Sequence, residues 1–270
     1  MLYFIPTPIG NLSDVSLHVL EVLETVEVLF CEDTRVTKKL LNLLTQRQNL
    51  NLKEIEFYSL HSHNEKEILS NLDITIFEKN CAYMSDAGMP GISDPGSELV
   101  KFAIKNSIPY EVISGSNALL IAAVASGLVE KEFTFLGFLS NSGESRQTEL
   151  QNALNSPYPV ILYESPKRVL SLVEQISKLD GERELFLIKE ATKKFENKFS
   201  GTAQNLYETL QNENLNGEWS VVISASKTAS NEKILVEDIL NLDIPPKQKS
   251  KLLAKLTGKN TKEIYKELVK

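Results

Sequence analysis

Four short stretches gather the glycines and polar side chains that a reaction would need, and three of them directly follow an apolar run. The densest is Ser85-Asp86-Ala87-Gly88-Met89-Pro90-Gly91-Ile92-Ser93-Asp94-Pro95-Gly96, where three of the chain's twelve glycines fall within nine residues. Glycine lets backbone N–H and C=O groups come close to a ligand. The stretch is therefore expected to be a loop wrapped around a small molecule, with Asp86 at the end of a strand. Glu32-Asp33-Thr34-Arg35 places two carboxylates that can accept a proton beside a guanidinium that can clamp a phosphate. An Asp33–Arg35 ion pair with a helix cap is the purely structural alternative. Pro6-Thr7-Pro8-Ile9-Gly10-Asn11-Leu12 offers close backbone approach at Gly10 and polar contacts at Asn11 and Ser13, or simply a rigid strand-to-helix turn. It lacks the Gly-x-Gly-x-x-Gly pattern, which argues against the usual dinucleotide fingerprint. In His61-Ser62-His63-Asn64-Glu65 the two histidines have no third ligand placed by spacing, so no metal site is expected. A ribose or nucleic-acid contact and a helix cap at Asn64 are the open readings there.

The elements that must position these residues alternate from the start. Leu2–Ile5, Val26–Cys31, Glu56–Leu60, Ala82–Ser85 and Tyr110–Ile113 have the composition of strands, and Val15–Glu24, Thr37–Leu44, Asn64–Ser70 and Ser97–Lys105 that of helices. Such alternation predicts an α/β domain with a mainly parallel sheet, whose ligands bind where strands give way to loops. Ser114-Gly115-Ser116-Asn117 is a breaker, and the first domain is expected to span 1–115. A second α/β domain is expected over 116–232. Its strands are Phe133–Phe138, Val160–Tyr163, Glu184–Lys189 and Trp219–Ser224, and its helices Arg146–Asn155, Val169–Leu179 and Ala203–Gln211.

The end of the chain is of another kind. Pro245 and Pro246 suit a first helical turn, Leu252, Leu253 and Leu256 form an apolar stripe, and Gly258 suits the left-handed position after a helix. Asn260 with Glu263 resembles a capping box, followed by a stripe of Ile264, Tyr265, Leu268 and Val269. Two short helices are expected within 243–270, with lysines outward.

Charge separates along the same lines. The chain carries −7 overall, but residues 245–270 hold eight lysines and two glutamates, a net of +6, which leaves −13 on the rest. An acidic body with a basic end points to an end that meets a polyanion, with a solvated lysine-rich surface as the alternative. With 42% hydrophobic and 24% charged residues the 270-residue chain should pack rather than remain disordered. No apolar run approaches the ~20 residues that cross a bilayer. Met1–Gly10 lacks the basic flank of a secretory signal. Two cysteines, Cys31 and Cys81, make no disulfide framework, so buried thiols and a cytoplasmic protein are expected.

Six stretches together carry a family resemblance: Pro6–Leu12, Glu32–Arg35, His63–Glu65, Ser85–Gly96, Tyr163–Pro166 and Pro246–Leu268. In order and completeness they resemble the tetrapyrrole-methylase superfamily. With the basic end included, they resemble its small-subunit ribosomal RNA branch, which 2′-O-methylates a cytidine in the decoding region of 16S rRNA. Small-molecule members of the superfamily are not expected to carry that end. The chain departs from the family's pattern in four places. Ser114-Gly115-Ser116-Asn117-Ala118 stands where Pro-Gly-Pro-Ser-Ala is usual, and Ser165-Pro166-Lys167 where Ser-Pro-His is. Leu139-Ser140-Asn141 replaces a Leu-Pro pattern, and Glu190-Ala191-Thr192-Lys193 keeps the acid, threonine and lysine but not the leucine.

The resemblance implies two α/β domains with a cofactor cleft between them, a small C-terminal helical appendage, S-adenosyl-L-methionine as cofactor and a homodimer. It implies cofactor contacts from Gly10, Asn11, Asp86, Gly88, Met89, Ile92, Ser93, Ser116, Asn117, Ala118 and Tyr163. Methyl transfer from a sulfonium leaves a neutral thioether, so positioning should supply most of the acceleration. A carboxylate near the hydroxyl can take its proton, with Asp33, Glu32 and Glu164 as candidates. Arg35, Lys38, Lys39, Arg146, Lys167, Arg168, Lys247 and Lys251 are the candidates for holding RNA phosphates.

Overall fold

A computed structural model describes residues 1–227 and 236–269. The first half runs β1 (Leu2–Phe4), α1 (Leu17–Leu23), β2 (Val28–Cys31), α2 (Thr34–Gln48), β3 (Glu56–Ser59), α3 (Glu65–Asn71), β4 (Cys81–Met84), α4 (Ser97–Lys105) and β5 (Tyr110–Val112). Its five strands form one parallel sheet in the order β3-β2-β4-β1-β5. β2 and β4 are apolar at every position because helices cover both faces of a parallel sheet. Successive side chains serve opposite cores. Val28, Phe30, Cys81 and Tyr83 pack on one side, and Leu29, Ala82 and Met84 on the other. Cys31 and Cys81 are both buried and unbonded, and burial pushes the Cys81 thiol up to about 11.

The second half runs α5 (Ala118–Ser126), β6 (Thr134–Phe138), α6 (Gly143–Leu154), β7 (Val160–Glu164), α7 (Val169–Leu179), β8 (Glu184–Lys189), β9 (Asn197–Thr202), α8 (Ala203–Leu210) and β10 (Trp219–Ile223). Its sheet has the order β6-β7-β10-β8-β9 and is mixed, with only β6 and β7 parallel. Two of these elements escape a periodicity reading. α5 is apolar almost throughout, so it shows no amphipathic stripe. β9 is an edge strand of mostly polar residues, Asn197–Thr202, held by its ladder to β8. The 115/116 position falls at the passage from one sheet to the other, yet residues 1–226 pack as one compact unit. The end of the second domain expected at 232 lies outside the described residues.

The second unit, 227–270, is built from α9 (Val236–Asn241), α10 (Pro246–Thr257) and α11 (Thr261–Leu268). Pro246 opens α10, and Gly258 closes it at φ 70° with its N–H donating to the Ala254 carbonyl at 2.9 Å. Asn260 caps α11 through Lys262 N–H at 2.9 Å rather than through Glu263 N–H, which donates to the Asn260 backbone carbonyl at 3.1 Å. The expected apolar stripes are narrower in fact. Leu253 and Ile264 are buried with Ile239 of α9, while Leu252, Leu256, Tyr265 and Val269 are exposed. Three short helices enclose only a few residues, Ile239, Leu253 and Ile264 with the small Ser250 beside them in sequence.

Candidate active site

The glycine-rich loop leaves β4 and is tied down at both ends. Thr7 and Gly88 exchange backbone hydrogen bonds at 2.9 and 3.1 Å, and the Thr7 hydroxyl donates to the Ser85 carbonyl at 3.3 Å. At the far end the buried Glu65 carboxylate accepts from Gly96 N–H at 3.2 Å and Leu99 N–H at 3.0 Å. A carboxylate there meets otherwise orphaned N–H groups at the start of α4. Glu65 thus anchors the loop, a role the local sequence does not announce. Its neighbour Asn64 occupies the cap position of α3 but caps nothing there. It accepts from His61 N–H at 2.8 Å and donates to the Ser59 carbonyl at 3.1 Å. No group of three His, Cys, Asp or Glu suited to a metal ion occurs among the described residues.

A cavity of about 330 Å³ opens between the two sheets. It collects seven of the expected cofactor residues: Gly88, Met89, Ile92 and Ser93 from the loop, Asn117 and Ala118 from the linker, and Tyr163 from β7. The linker is fixed by close packing, since a Cβ on Gly115 would lie 2.4 Å from Pro6 Cγ. Asn117 caps α5 by accepting from Leu119 N–H at 2.9 Å, and Tyr163 Oη accepts from the same N–H at 3.1 Å. Asp86, Gly10, Asn11 and Ser116 are not among its lining residues. Asp86 bonds to the neighbouring loop. It accepts from Asp33 N–H at 3.2 Å, and its own N–H donates to Glu32 Oε2 at 3.3 Å. Gly10 packs against Lys193, where a Cβ would fall 2.2 Å from Cγ, and exposed Asn11 accepts from Ser13 N–H at 3.0 Å.

The three proposed proton acceptors fare differently. Two hydrogen bonds and the charge of Arg35 hold the Asp33 carboxyl at about 2, too weakly basic for the task. Glu164 reaches the cavity wall, but its carboxylate is fully buried and engaged three times: by Arg146 at 2.8 Å, Arg168 at 2.7 Å and Ser165 N–H at 2.8 Å. It is the centre of an ion-pair cluster rather than a free base. Burial raises Glu32, whose carboxylate accepts from Asp86 N–H and is not part of the cavity lining. Sequence reading passed over Asp94, which lines the cavity. Burial first, then the charges of Glu32 and Asp86, push its carboxyl up to about 7.

The same cluster corrects two of the expected phosphate contacts. Arg146 is buried, spent on Glu164 and on the Ser140 carbonyl at 3.1 Å, so it is closed to an RNA backbone. Arg168 is held by Glu164 and Asn141. Arg35, Lys38, Lys39 and Lys167 are exposed, although Arg35 is paired with Asp33 and Lys38 lies 4.6 Å over the Phe57 ring. Lys247 and Lys251 are exposed on α10.

Residues 1–207 match the family profile described as Tetrapyrrole (Corrin/Porphyrin) Methylases. Over its whole length the chain is 60% identical to the ribosomal RNA small subunit methyltransferase I of Campylobacter fetus, with all of both chains covered. It is 42% identical to that of Helicobacter pylori over 98% of this chain and 96% of the relative. Among solved structures it is similar to uroporphyrin III C-methyl transferase from Thermus thermophilus. That match has TM-score 0.57 and 16% identity, over 82% of this chain and 96% of that one. A cobalt precorrin-4 methyltransferase gives TM-score 0.58 at 14% identity, over 83% and 94%. The cavity between two sheets, the loop that walls it and the full-length identity agree: the chain belongs to the tetrapyrrole methylase family, on its ribosomal RNA small subunit methyltransferase I branch.

Proposed function

We propose that this protein uses S-adenosyl-L-methionine to methylate the ribose 2′-hydroxyl of a cytidine in the decoding region of 16S rRNA, in the bacterial cytoplasm. The observation that carries the reading is the reach of the identity. The family profile stops at residue 207, yet the rRNA methyltransferases match the chain to its end, through the lysine-bearing helices of 227–270. Lysines at such an end supply the phosphate attraction that an acidic body lacks.

The cavity fits the cofactor by its chemistry. Ile9, Ala118 and Ile188 offer apolar walls, and Ser165, whose buried hydroxyl has no partner among the described residues, offers a polar one. A pocket of this size with few polar groups is usual for a small-molecule ligand. The bound cofactor supplies a methyl group on a sulfonium. Asp94 accepts the proton of the attacking hydroxyl, since a base poised near the working pH is the efficient one. Tyr163, Asn117 and the Thr7–Gly88 bonds hold the walls in register, so that alignment is settled before the hydroxyl arrives. Exposed Arg35, Lys39 and Lys167 receive flanking phosphates. We extend the reading to a homodimer, because Val112, Leu120 and Val124 expose apolar side chains on the 1–226 unit that a second copy would cover.

The test uses small ribosomal subunits that lack the modification, incubated with the protein and radiolabelled S-adenosylmethionine. One alkali-resistant labelled ribose in the decoding region is the expected result. Bound cofactor without any labelled rRNA would overturn the reading.

A further inference from the structure

Strand β6 carries an extra residue. Its register with β7 pairs Phe135 with Ile161, skips Leu136, and resumes with Gly137 on Leu162 and Phe138 on Tyr163. Gly137 takes a left-handed backbone, φ 63°, at this bulge. Such insertions re-aim side chains and are frequent beside active sites. Here the consequence follows from strand parity. In a regular strand residues three apart, such as Phe135 and Phe138, would point to opposite faces. With the extra residue, both lie on the Tyr163 face, their ring centroids 5.0 and 5.7 Å from that of Tyr163. Phe135 is partly buried in the core beneath α5, whereas Phe138 lines the cavity and remains 55% exposed.

The first half of the molecule answers at the same place. Ile92 lines the cavity and is 43% exposed, and the next residue, Ser93, holds a left-handed backbone at φ 65°. A Cβ on Gly137 would lie 2.9 Å from Ser93 Oγ, so the glycine-rich loop and the bulge touch. A single exposed apolar side chain means little. Here two of them, from the two halves of the molecule, line one cavity, and one is placed there by a bulge.

Resting on the rRNA-methyltransferase reading, we infer that Phe138, with Ile92 lining the same cavity, stacks an extruded nucleobase of the target RNA strand there. Enzymes that seat a single nucleotide in a cavity draw it out of its stack. Proteins hold such bases on exposed aromatic faces. A purine ring on the cofactor shares this chemistry, so the test separates the two sources.

Full-length Phe138→Ala, Phe138→Leu and Phe138→Tyr proteins are assayed on unmodified small subunits, and each is titrated with S-adenosylmethionine in a calorimeter. Stacking on one aromatic ring corresponds to a loss of roughly 5- to 150-fold in kcat/KM when the ring is removed. That loss is expected for the alanine and leucine variants, mostly as a higher KM for the subunit. The tyrosine variant should stay within about threefold of the parent, and cofactor affinity should be unchanged in all three. An alanine or leucine variant as active as the parent overturns the inference. Cofactor affinity falling in step with turnover also overturns it and assigns the ring to the cofactor. If the parent itself labels no rRNA, the functional reading fails and the inference with it.

Discussion

Arg146 Nη2 lies 2.8 Å from Glu164 Oε2, and neither side chain reaches solvent to any useful extent, with 6% and 0% of their surfaces exposed. Arg146 arises from α6 and Glu164 ends β7, so the pair fastens a helix to the strand that walls the cavity. Removing one partner of a buried ion pair leaves the other charge desolvated, which costs about 3–5 kcal/mol. Because Glu164 keeps Arg168, Arg146→Ala should lower the unfolding free energy by up to that amount, with Trp219, the chain's one tryptophan and buried in the same sheet, as the fluorescent probe. An unchanged midpoint would mean that the pair is energetically idle. Arg146→Met with Glu164→Leu should recover part of the stability while leaving the cavity wall altered, so cofactor affinity would not return with it.

Asp94 gives two pH signatures of opposite sense. Its carboxyl titrates near 7 under the influence of burial, Glu32, Asp86 and Glu218. As a base it must be ionised, so kcat/KM should rise with pH to a plateau above about 7, and Asp94→Asn should abolish that limb with a roughly 10²- to 10⁴-fold loss. For stability the sign reverses. The folded carboxyl holds a proton between about pH 4 and 7 that the unfolded one has given up, so folding loses stability as pH rises through that window. Asparagine carries no such penalty. Solvent reaches Asp94 and screens much of the effect, so at pH 8 the variant should melt only roughly 2–4 °C higher, a shift of about 1 kcal/mol, and no higher at pH 4. A variant that is inactive and also less stable at pH 8 would make Asp94 a structural residue.

Much of this site is legible in the sequence. Parallel strands buried on both faces must be apolar at every position, so Val28–Cys31 and Cys81–Met84 announce themselves, and the polar loops that follow them mark the ligand end of the sheet. Seven of the eleven residues that the family resemblance implies for the cofactor line one cavity, four of them on the loop that follows Cys81–Met84. Other features depend on contacts between residues far apart in the chain. Glu65 reaches Gly96 and Leu99 from 31 and 34 residues away, and nothing in His61–Glu65 indicates that target. Arg146 looked like a free cation because its partner lies 18 residues off on a strand. Asp94 carries no mark of a base in the sequence, since its basicity comes from burial and from Glu32 and Asp86, which only the fold brings near. The β6 bulge is invisible because one inserted residue leaves composition unchanged.

The linker predicts a steric effect. Gly115 packs so closely on Pro6 that a Cβ would lie 2.4 and 2.7 Å from two ring carbons. A proline ring cannot swing aside as a long flexible side chain does. Gly115→Ala should cost about 1–3 kcal/mol by overpacking and weaken cofactor binding, because Asn117 and Ala118 follow directly. Pro6→Ala added to it should restore much of both, as contacting sites are not additive. Equal losses in the single and double variants would show that the contact is not the cause.

The lysine-bearing helices predict a salt dependence. Lys247, Lys251, Lys255, Lys259, Lys262 and Lys266 are exposed, while residues 1–244 carry a net −13 that repels RNA. If α10 meets the phosphate backbone, each bound lysine releases a counterion and adds roughly 0.7–0.9 to the slope of log affinity against log salt. Lys247→Ala with Lys251→Ala should therefore weaken subunit binding at low salt, flatten that slope by roughly 1.5, and leave the rate at saturating substrate unchanged. Both positions are solvent-facing, and the small core of Ile239, Leu253 and Ile264 does not include them, so the helices should keep their circular dichroism. An unaltered slope would move the RNA contact to the exposed Arg35, Lys39 and Lys167 of the 1–226 unit. An equally flattened slope with lost turnover at saturation would instead make α10 part of the arrangement that aligns the hydroxyl, a role the exposed position of its lysines does not require.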